Sequence, residues 1–175
     1  MEKEITKSLI DKNIDSFTYN PQILVNQKYK SIKNAIINNL RKSDRVDIAV
    51  SYVVWSGLSL IFKHLNKFDK KSRILLTTEG FVTDPRSLRK LLESNISVKV
   101  YNPYQSSEGF HLKSYMFEKK DQTTILVGSN NISSRAFGVT HEMAIEVNST
   151  KEGYIIDNYK EAFDYLWNHS FSVEL

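Results

Sequence analysis

His111 and Lys113 set an imidazole and an ammonium two positions apart, and the Gly128-Ser129-Asn130-Asn131 run and Glu142 come after them within one stretch from Phe110 to Glu146. A strand projects residues i and i+2 from the same face, so the spacing predicts that His111 and Lys113 share one space. Gly128 ends an apolar run from Thr123 to Val127, where a glycine turn carrying hydroxyl and amide groups brings several hydrogen-bond donors close to one anion. Glu142 adds a carboxylate to the same stretch. This is the equipment of a site that handles a phosphodiester. Alone, each residue has a plainer reading. Lys113 would be a solvated strand lysine, Ser129 a turn residue capping the Ile132 segment, and Glu142 a surface partner for a cation. Order and spacing together carry the functional reading. His64, His141 and His169 have no companions of that kind and read as structural or surface residues.

The elements that must position these groups are visible around them. If Phe110–Glu118 and Thr123–Val127 pair as antiparallel strands about a Lys119-Lys120-Asp121-Gln122 turn, their far ends meet and His111, Lys113, Ser129 and Asn131 converge. Upstream, Ile32, Ala35, Ile36, Ile37 and Leu40 recur at helical spacing from Ser31, with Arg41-Lys42 in the last turn, where cations suit the helix dipole. Val46 to Val54 reads as a buried strand interrupted by Asp47 and Ser51, and Ser56 as the cap of a helix carrying Leu58, Ile61, Phe62 and Leu65. Arg73–Thr78 predicts a central strand. Asp84-Pro85 then opens a helix with Leu88, Leu91 and Leu92, and Ile96–Tyr101 predicts a strand, so the unit implies parallel pairing through a right-handed crossover. Pro103 to Gly109 reads as a loop. After the hairpin come a short helical turn over Ile132–Ala136, a strand from His141 to Val147, and a helix capped by Ser149 or Thr150 with Ile155, Tyr159, Ala162, Phe163, Leu166 and Trp167 on its apolar face. The fold class is therefore α/β, a mixed sheet flanked by helices on both faces. Residues 1–29 read as an N-terminal arm or helix, in which Ile5, Leu9 and Ile10 share a face, and 30–175 as one domain.

The pattern His111-x-Lys113, then Gly128-Ser129-x-Asn131 and Glu142, resembles the active-site signature of the phospholipase D superfamily. It is most similar to the nucleases and metal-independent restriction endonucleases with one motif per chain, and to the like domain fused to some bacterial helicases. The usual form has Asp seven positions after the His, where this chain has Glu118, and a shorter gap before the Gly. An odd offset points Glu118 away from His111, to support the fold, and extra residues fit in a hairpin tip. The resemblance implies a covalent phosphohistidine route in which one imidazole attacks phosphorus and a second protonates the leaving oxygen and then activates water. One chain supplies one motif, so it also implies a two-fold homodimer with a shared site. In that scheme Lys113 and Asn131 hold the non-bridging oxygens, Ser129 adds a hydroxyl, and Glu142 accepts from the imidazole nitrogen not used for attack.

Composition narrows the setting. With 175 residues and no Cys, the chain can bury a core without disulfides and has no thiolate nucleophile or ligand. It has no signal-peptide-like or membrane-length apolar run, so a cytoplasmic protein without a membrane partner is expected. The excess of 24 Lys and Arg over 20 Asp and Glu suits a polyanion such as DNA. No His-Glu-x-x-His helix, paired Asp cluster or Gly-Lys-Ser/Thr phosphate loop occurs, so no metal, no cofactor and no in-chain helicase motor of that kind is expected. Arg86, Arg89, Lys90 and the pairs Lys70-Lys71 and Lys119-Lys120 read as solvated charges. The leading function is a metal-independent nuclease acting on DNA, in restriction or another defence system. The alternative is a nucleic-acid-binding or targeting module of a larger helicase or restriction protein, with little catalysis. A lipid or small-phosphodiester hydrolase comes third.

Overall fold

The computed structural model describes residues 21–26, 31–102, 104 and 108–175, and the expected Ile5-Leu9-Ile10 face lies outside them. Its elements are β1 Gln22–Val25, α1 Ile32–Lys42, β2 Arg45–Val50, α2 Trp55–Leu65, β3 Arg73–Thr77, α3 Pro85–Leu92, β4 Ser97–Tyr101, β5 Lys113–Glu118, β6 Thr123–Gly128, β7 Met143–Ser149, α4 Tyr154–Trp167 and β8 Ser172–Glu174. The eight strands form one sheet in the order β1-β7-β6-β5-β2-β3-β4-β8. Only β2-β3 and β3-β4 are parallel, and the remaining neighbours are antiparallel. The mixed sheet with helices on both faces is the architecture expected from the strand–helix alternation.

Alternation along β2 divides the two layers. Val46, Ile48 and Val50 join Ile36, Leu40, Leu58, Ile61 and Leu91 in the larger core, beneath α1, α2 and α3. Ala49 faces the other way and packs with Leu75, Tyr101, Phe110, Phe163 and Trp167 beneath α4. Asp47 shares that second face and is fully buried. It persists there because Arg73 donates to both carboxylate oxygens at 3.0 and 2.7 Å and Arg45 adds a contact of 2.8 Å. A buried carboxylate is tolerable only with such paired, hydrogen-bonded partners. Arg73 also reaches Asp164 at 2.6 Å and lies 4.6 Å over the Phe163 ring, which ties α4 to the sheet.

Several boundaries differ from the sequence expectation for identifiable reasons. β2 stops at Val50, and α2 starts on Val54 with no side-chain cap of its own. Ser56 does not cap it. Instead Asp84 caps twice: Oδ1 accepts from Arg86 N at 2.8 Å to start α3, and Oδ2 accepts from Trp55 N at 3.2 Å. The last helix starts from Gly153 rather than Ser149 or Thr150, and Ile155 is exposed while Ile156 is buried. The turn after Asn131 is a π-helical turn over Arg135–Val139, whose carbonyl end is pinned by Asn26 Nδ2 donating to Ala136 O and Thr140 O at 2.6 and 3.1 Å. The short strands β1 and β8 at the sheet margins were not expected. β1 pairs with β7, so the sheet extends to Gln22, inside the segment read as an arm.

Candidate functional site

The hairpin forms as its turn predicts. β5 and β6 pair from Ser114 opposite Val127 to Glu118 opposite Thr123, and Lys119 N donates to Gln122 O at 2.9 Å. Lys113 opens β5, whereas His111 precedes the strand, so the shared strand face assumed for the two residues does not apply. The connection between them runs through the backbone. The Lys113 ammonium folds back to donate to the His111 carbonyl at 3.3 Å and to Ser51 Oγ at 3.1 Å. His111 is exposed, and its imidazole has no hydrogen-bond partner among the described residues. Its backbone is placed by Phe110, a buried ring stacked on Tyr101 with 5.3 Å between centroids, whose N–H donates to Glu79 at 3.3 Å.

The end of β2 gathers the other side. Ser51 holds Lys113, and the next residue's backbone N–H, that of Tyr52, donates to Asn131 Oδ1 at 3.1 Å. An N–H donor requires an acceptor, so this bond fixes the amide orientation and leaves Nδ2 as the free donor. Asn131 is brought within reach by a close backbone approach: Val54 N donates to Ile132 O at 3.0 Å, and a Cβ on Gly57 would stand 2.6 Å from Ile132 C. Gly57 is therefore required by contact, not by dihedral angle.

Glu142 precedes β7, which begins at Met143 rather than His141. Its carboxylate accepts from Ser129 Oγ, and Met143 N donates to that same hydroxyl at 3.2 Å. The expected bond from His111 to Glu142 is not made. The Ser129 hydroxyl takes that place, so Ser129 positions Glu142. Gly128 is the second glycine required by contact, since a Cβ there would lie 2.6 Å from the Ala144 Cβ across the ladder. Next door, fully buried Asn130 exchanges hydrogen bonds with the Tyr115 hydroxyl, which donates to Asn130 O at 3.2 Å and accepts from its Nδ2 at 3.3 Å. Burial pushes the Tyr115 phenol well above its usual range, so it stays neutral and structural.

Burial lowers the affinity of Lys113 for its proton, and the nearby Glu142 charge opposes that shift. Lys113, Asn131, Ser129 and Glu142 are thus brought together at the β2 end of the sheet, with His111 beside them on the chain. The arrangement offers an ammonium, an amide N–H2, an unpaired imidazole and a carboxylate, the groups needed to hold and attack a phosphate ester. Ser51 and Tyr52 are the residues that sequence reasoning missed as parts of the site. The polar interruption at Ser51 was their signal. Glu118 stands away from this cluster, paired with Lys160 at 3.0 Å and Arg45 at 3.6 Å. Among the described residues, no group of three or more His, Asp or Glu side chains is placed to hold a metal ion, and no helix is long and apolar enough to cross a membrane.

A family model described as cardiolipin synthase, PLD-like domain, matches residues 35–167. The chain belongs to the phospholipase D-like family. No curated protein matches it. Among solved structures, the PLD-like chain resembles Nuc, a phospholipase D family member from Salmonella typhimurium, at 14% identity and a TM-score of 0.66, over 89% of this chain and 98% of that one. NucT from Helicobacter pylori matches at 16% identity and a TM-score of 0.67, over 90% and 99%. Phosphatidylserine synthase from Haemophilus influenzae Rd KW20 matches at 13% identity and a TM-score of 0.66, over 89% of this chain and 40% of that longer one. At these identities the likeness establishes the fold.

Proposed function

We propose that this PLD-like chain is a metal-independent phosphodiesterase that cleaves DNA as a homodimer, with His111 as the nucleophile. The observation that carries this reading is the exposed, unpaired His111 imidazole, whose own carbonyl accepts from the buried Lys113 ammonium, with the free Asn131 Nδ2 donor held at the same end of β2. His111 attacks phosphorus and forms a phosphohistidine, while the His111 of a second copy gives a proton to the departing alkoxide. That second imidazole then takes a proton from water, whose oxygen displaces the histidine. Lys113 and Asn131 Nδ2 stabilise the charge that develops on the non-bridging oxygens. Glu142, held by Ser129, contributes a carboxylate beside Lys113.

Support for the second copy comes from the sheet surface beside the site. β1, β7 and β6 carry Ile23, Met143, Ile145 and Val127 on one face, 58%, 59%, 39% and 44% exposed, and Leu112 extends the patch toward His111. Helix α4 borders this face at Val127 and Leu112, where its Tyr159, Phe163 and Leu166 line a shared apolar cleft. An exposed apolar surface of this kind, adjoining a half-site, suits a self-complementary two-fold contact that brings two imidazoles together.

DNA is favoured over lipid by the basic excess and by the resemblance of the motif to the single-motif nucleases. The deciding experiment incubates plasmid DNA, single-stranded DNA and phospholipid vesicles with wild type and His111→Ala in excess chelator. DNA cleavage that persists in chelator and falls by about 10³-fold or more in the variant is expected. Chelator-sensitive cleavage, an active alanine variant, or turnover of vesicles alone would defeat the proposal. One observation favours a second reading, a DNA-binding module with little catalysis, either alone or within a larger helicase or restriction protein. Glu142 is engaged by Ser129, and among the described residues no carboxylate orients the His111 imidazole. Salt-dependent DNA binding without turnover, unchanged by His111→Ala, would establish it.

A further inference from the structure

A second polar cleft, of about 410 Å³, lies on the other side of the β7–β6 region, between α1 and the strand ends. Along α1, Asn34, Asn38 and Lys42 recur every four residues and so stand on one face, turned to the cleft. Opposite them are Lys119 from the hairpin and Glu146 and Asn148 from β7. Lys119, read from sequence as a loop charge, is half-buried and built in. It donates to the buried Thr124 hydroxyl at 2.7 Å, and Thr124 donates to Asn148 Oδ1 at 2.5 Å. The relay fixes the Asn148 amide with Nδ2 as its free donor. Glu146 is partly engaged, accepting from Asn39 Nδ2 at 3.1 Å.

Among the described residues, two ammonium groups therefore face one carboxylate, in a cleft whose remaining lining is mostly carboxamides, with Leu24, Ser31 and Ala35 between them. Lys42 has no partner among the described residues, and its charge joins burial in disfavouring the proton on Lys119, against the pull of Glu146. Two like charges with only one carboxylate between them leave a positive excess that binding an anion relieves. The carboxamides both donate and accept, as hydroxyl-bearing molecules require. Among the described residues, no aromatic ring lines the cleft to stack on a nucleobase.

We infer that this cleft binds a phosphomonoester carried on a hydroxyl-rich body, of the sugar-phosphate class, with the phosphate between Lys42 and Lys119 and the hydroxyls on the Asn34, Asn38 and Asn148 amides. The site is separate from the His111 cluster. A phosphorylated sugar and a phosphorylated polyol headgroup share this chemistry, and ribose 5-phosphate and glycerol 3-phosphate serve as probes for the two.

Calorimetric titration of the full chain with ribose 5-phosphate, glycerol 3-phosphate, inorganic phosphate and uncharged ribose tests it. At least one of the two phosphomonoesters should bind at millimolar concentration or below, tighter than inorganic phosphate and much tighter than ribose. Preference between the two names the source. Lys42→Gln and Asn38→Leu change exposed positions that the fold tolerates, and each should weaken binding about tenfold, the equivalent of one lost charged or polar contact. Lys113→Ala should leave it unchanged. No binding of either phosphomonoester, equal binding of ribose, or binding lost in Lys113→Ala but retained in Lys42→Gln would overturn the inference.

Discussion

Tyr52 donates its backbone N–H to Asn131 Oδ1 at 3.1 Å, so the end of β2 dictates which end of that amide is offered to the site. This separates two substitutions that would otherwise look alike. Asn131→Asp keeps an acceptor for Tyr52 and replaces the Nδ2 donor with a negative oxygen where an anion must sit. Its stability should stay within about 1 kcal/mol of wild type, while cleavage falls by about 10²-fold or more. Asn131→Ala abandons the Tyr52 N–H as well and should cost about 1–3 kcal/mol, because a part-buried donor is left unpaired. Thermal denaturation beside cleavage rates distinguishes the two.

Lys113 links burial to pH. Its charge is disfavoured by burial, so its folded proton affinity lies below that of an ordinary lysine. Since the ammonium is the form that holds phosphate oxygens, activity should decline as pH rises through this lowered value. Ser51 Oγ accepts from the ammonium and stabilises it. In Ser51→Ala the alkaline limb should therefore move to lower pH, which a rate profile measures. The stability effect has the opposite sense. The buried charge penalises the fold below the folded pKa, and the penalty fades as pH climbs toward the unfolded value. Lys113→Met should thus gain roughly 1 kcal/mol at neutral pH, a few degrees in Tm, while losing about 10²-fold or more in rate.

The fold was legible where one residue type does one job. Asp84-Pro85 announced α3, the alternation in Ile96–Tyr101 announced β4, and Lys119–Gln122 announced the hairpin. What stayed hidden depends on residues distant in sequence. The helix that Ser56 was expected to cap is supported by Asp84, and β1 exists because β7 offers it an edge, not because Gln22–Val25 is a strong strand on its own. The site divides in the same way. The residue types and their order were readable, but not that Ser51 would anchor Lys113 or that Ser129 would claim Glu142, since those depend on side-chain reach between the ends of neighbouring strands.

Gly57 offers a stability test away from the chemistry. A Cβ there would stand 2.6 Å from Ile132 C and closer still to the Ser133 backbone, so α2 must shift or the Ile132 segment must yield. Overpacking of this kind costs about 1–3 kcal/mol or more. Because the displaced segment comes directly after Asn131, Gly57→Ala should lower both Tm and cleavage, and stabilising cosolvent should recover Tm without full recovery of rate. Gly138, which has open space around it, is the control position, where alanine should be nearly silent.

The exposed face of β1 and β7 makes the dimer proposal testable without touching the site. Ile23 is 58% exposed and Ile145, its cross-strand neighbour, is 39% exposed, so a lysine at either position can reach water in a single chain. Buried against a second copy, two lysines related by symmetry would face an apolar surface and each other, which disfavours association strongly. Ile23→Lys/Ile145→Lys should keep the wild-type circular dichroism, elute as a monomer in gel filtration, and lose cleavage in proportion to the loss of dimer. Wild-type activity per chain should fall on dilution through the dissociation range. A folded monomer that cleaves as fast as wild type would show that one imidazole suffices, and the partner's His111 would then have no part in the reaction.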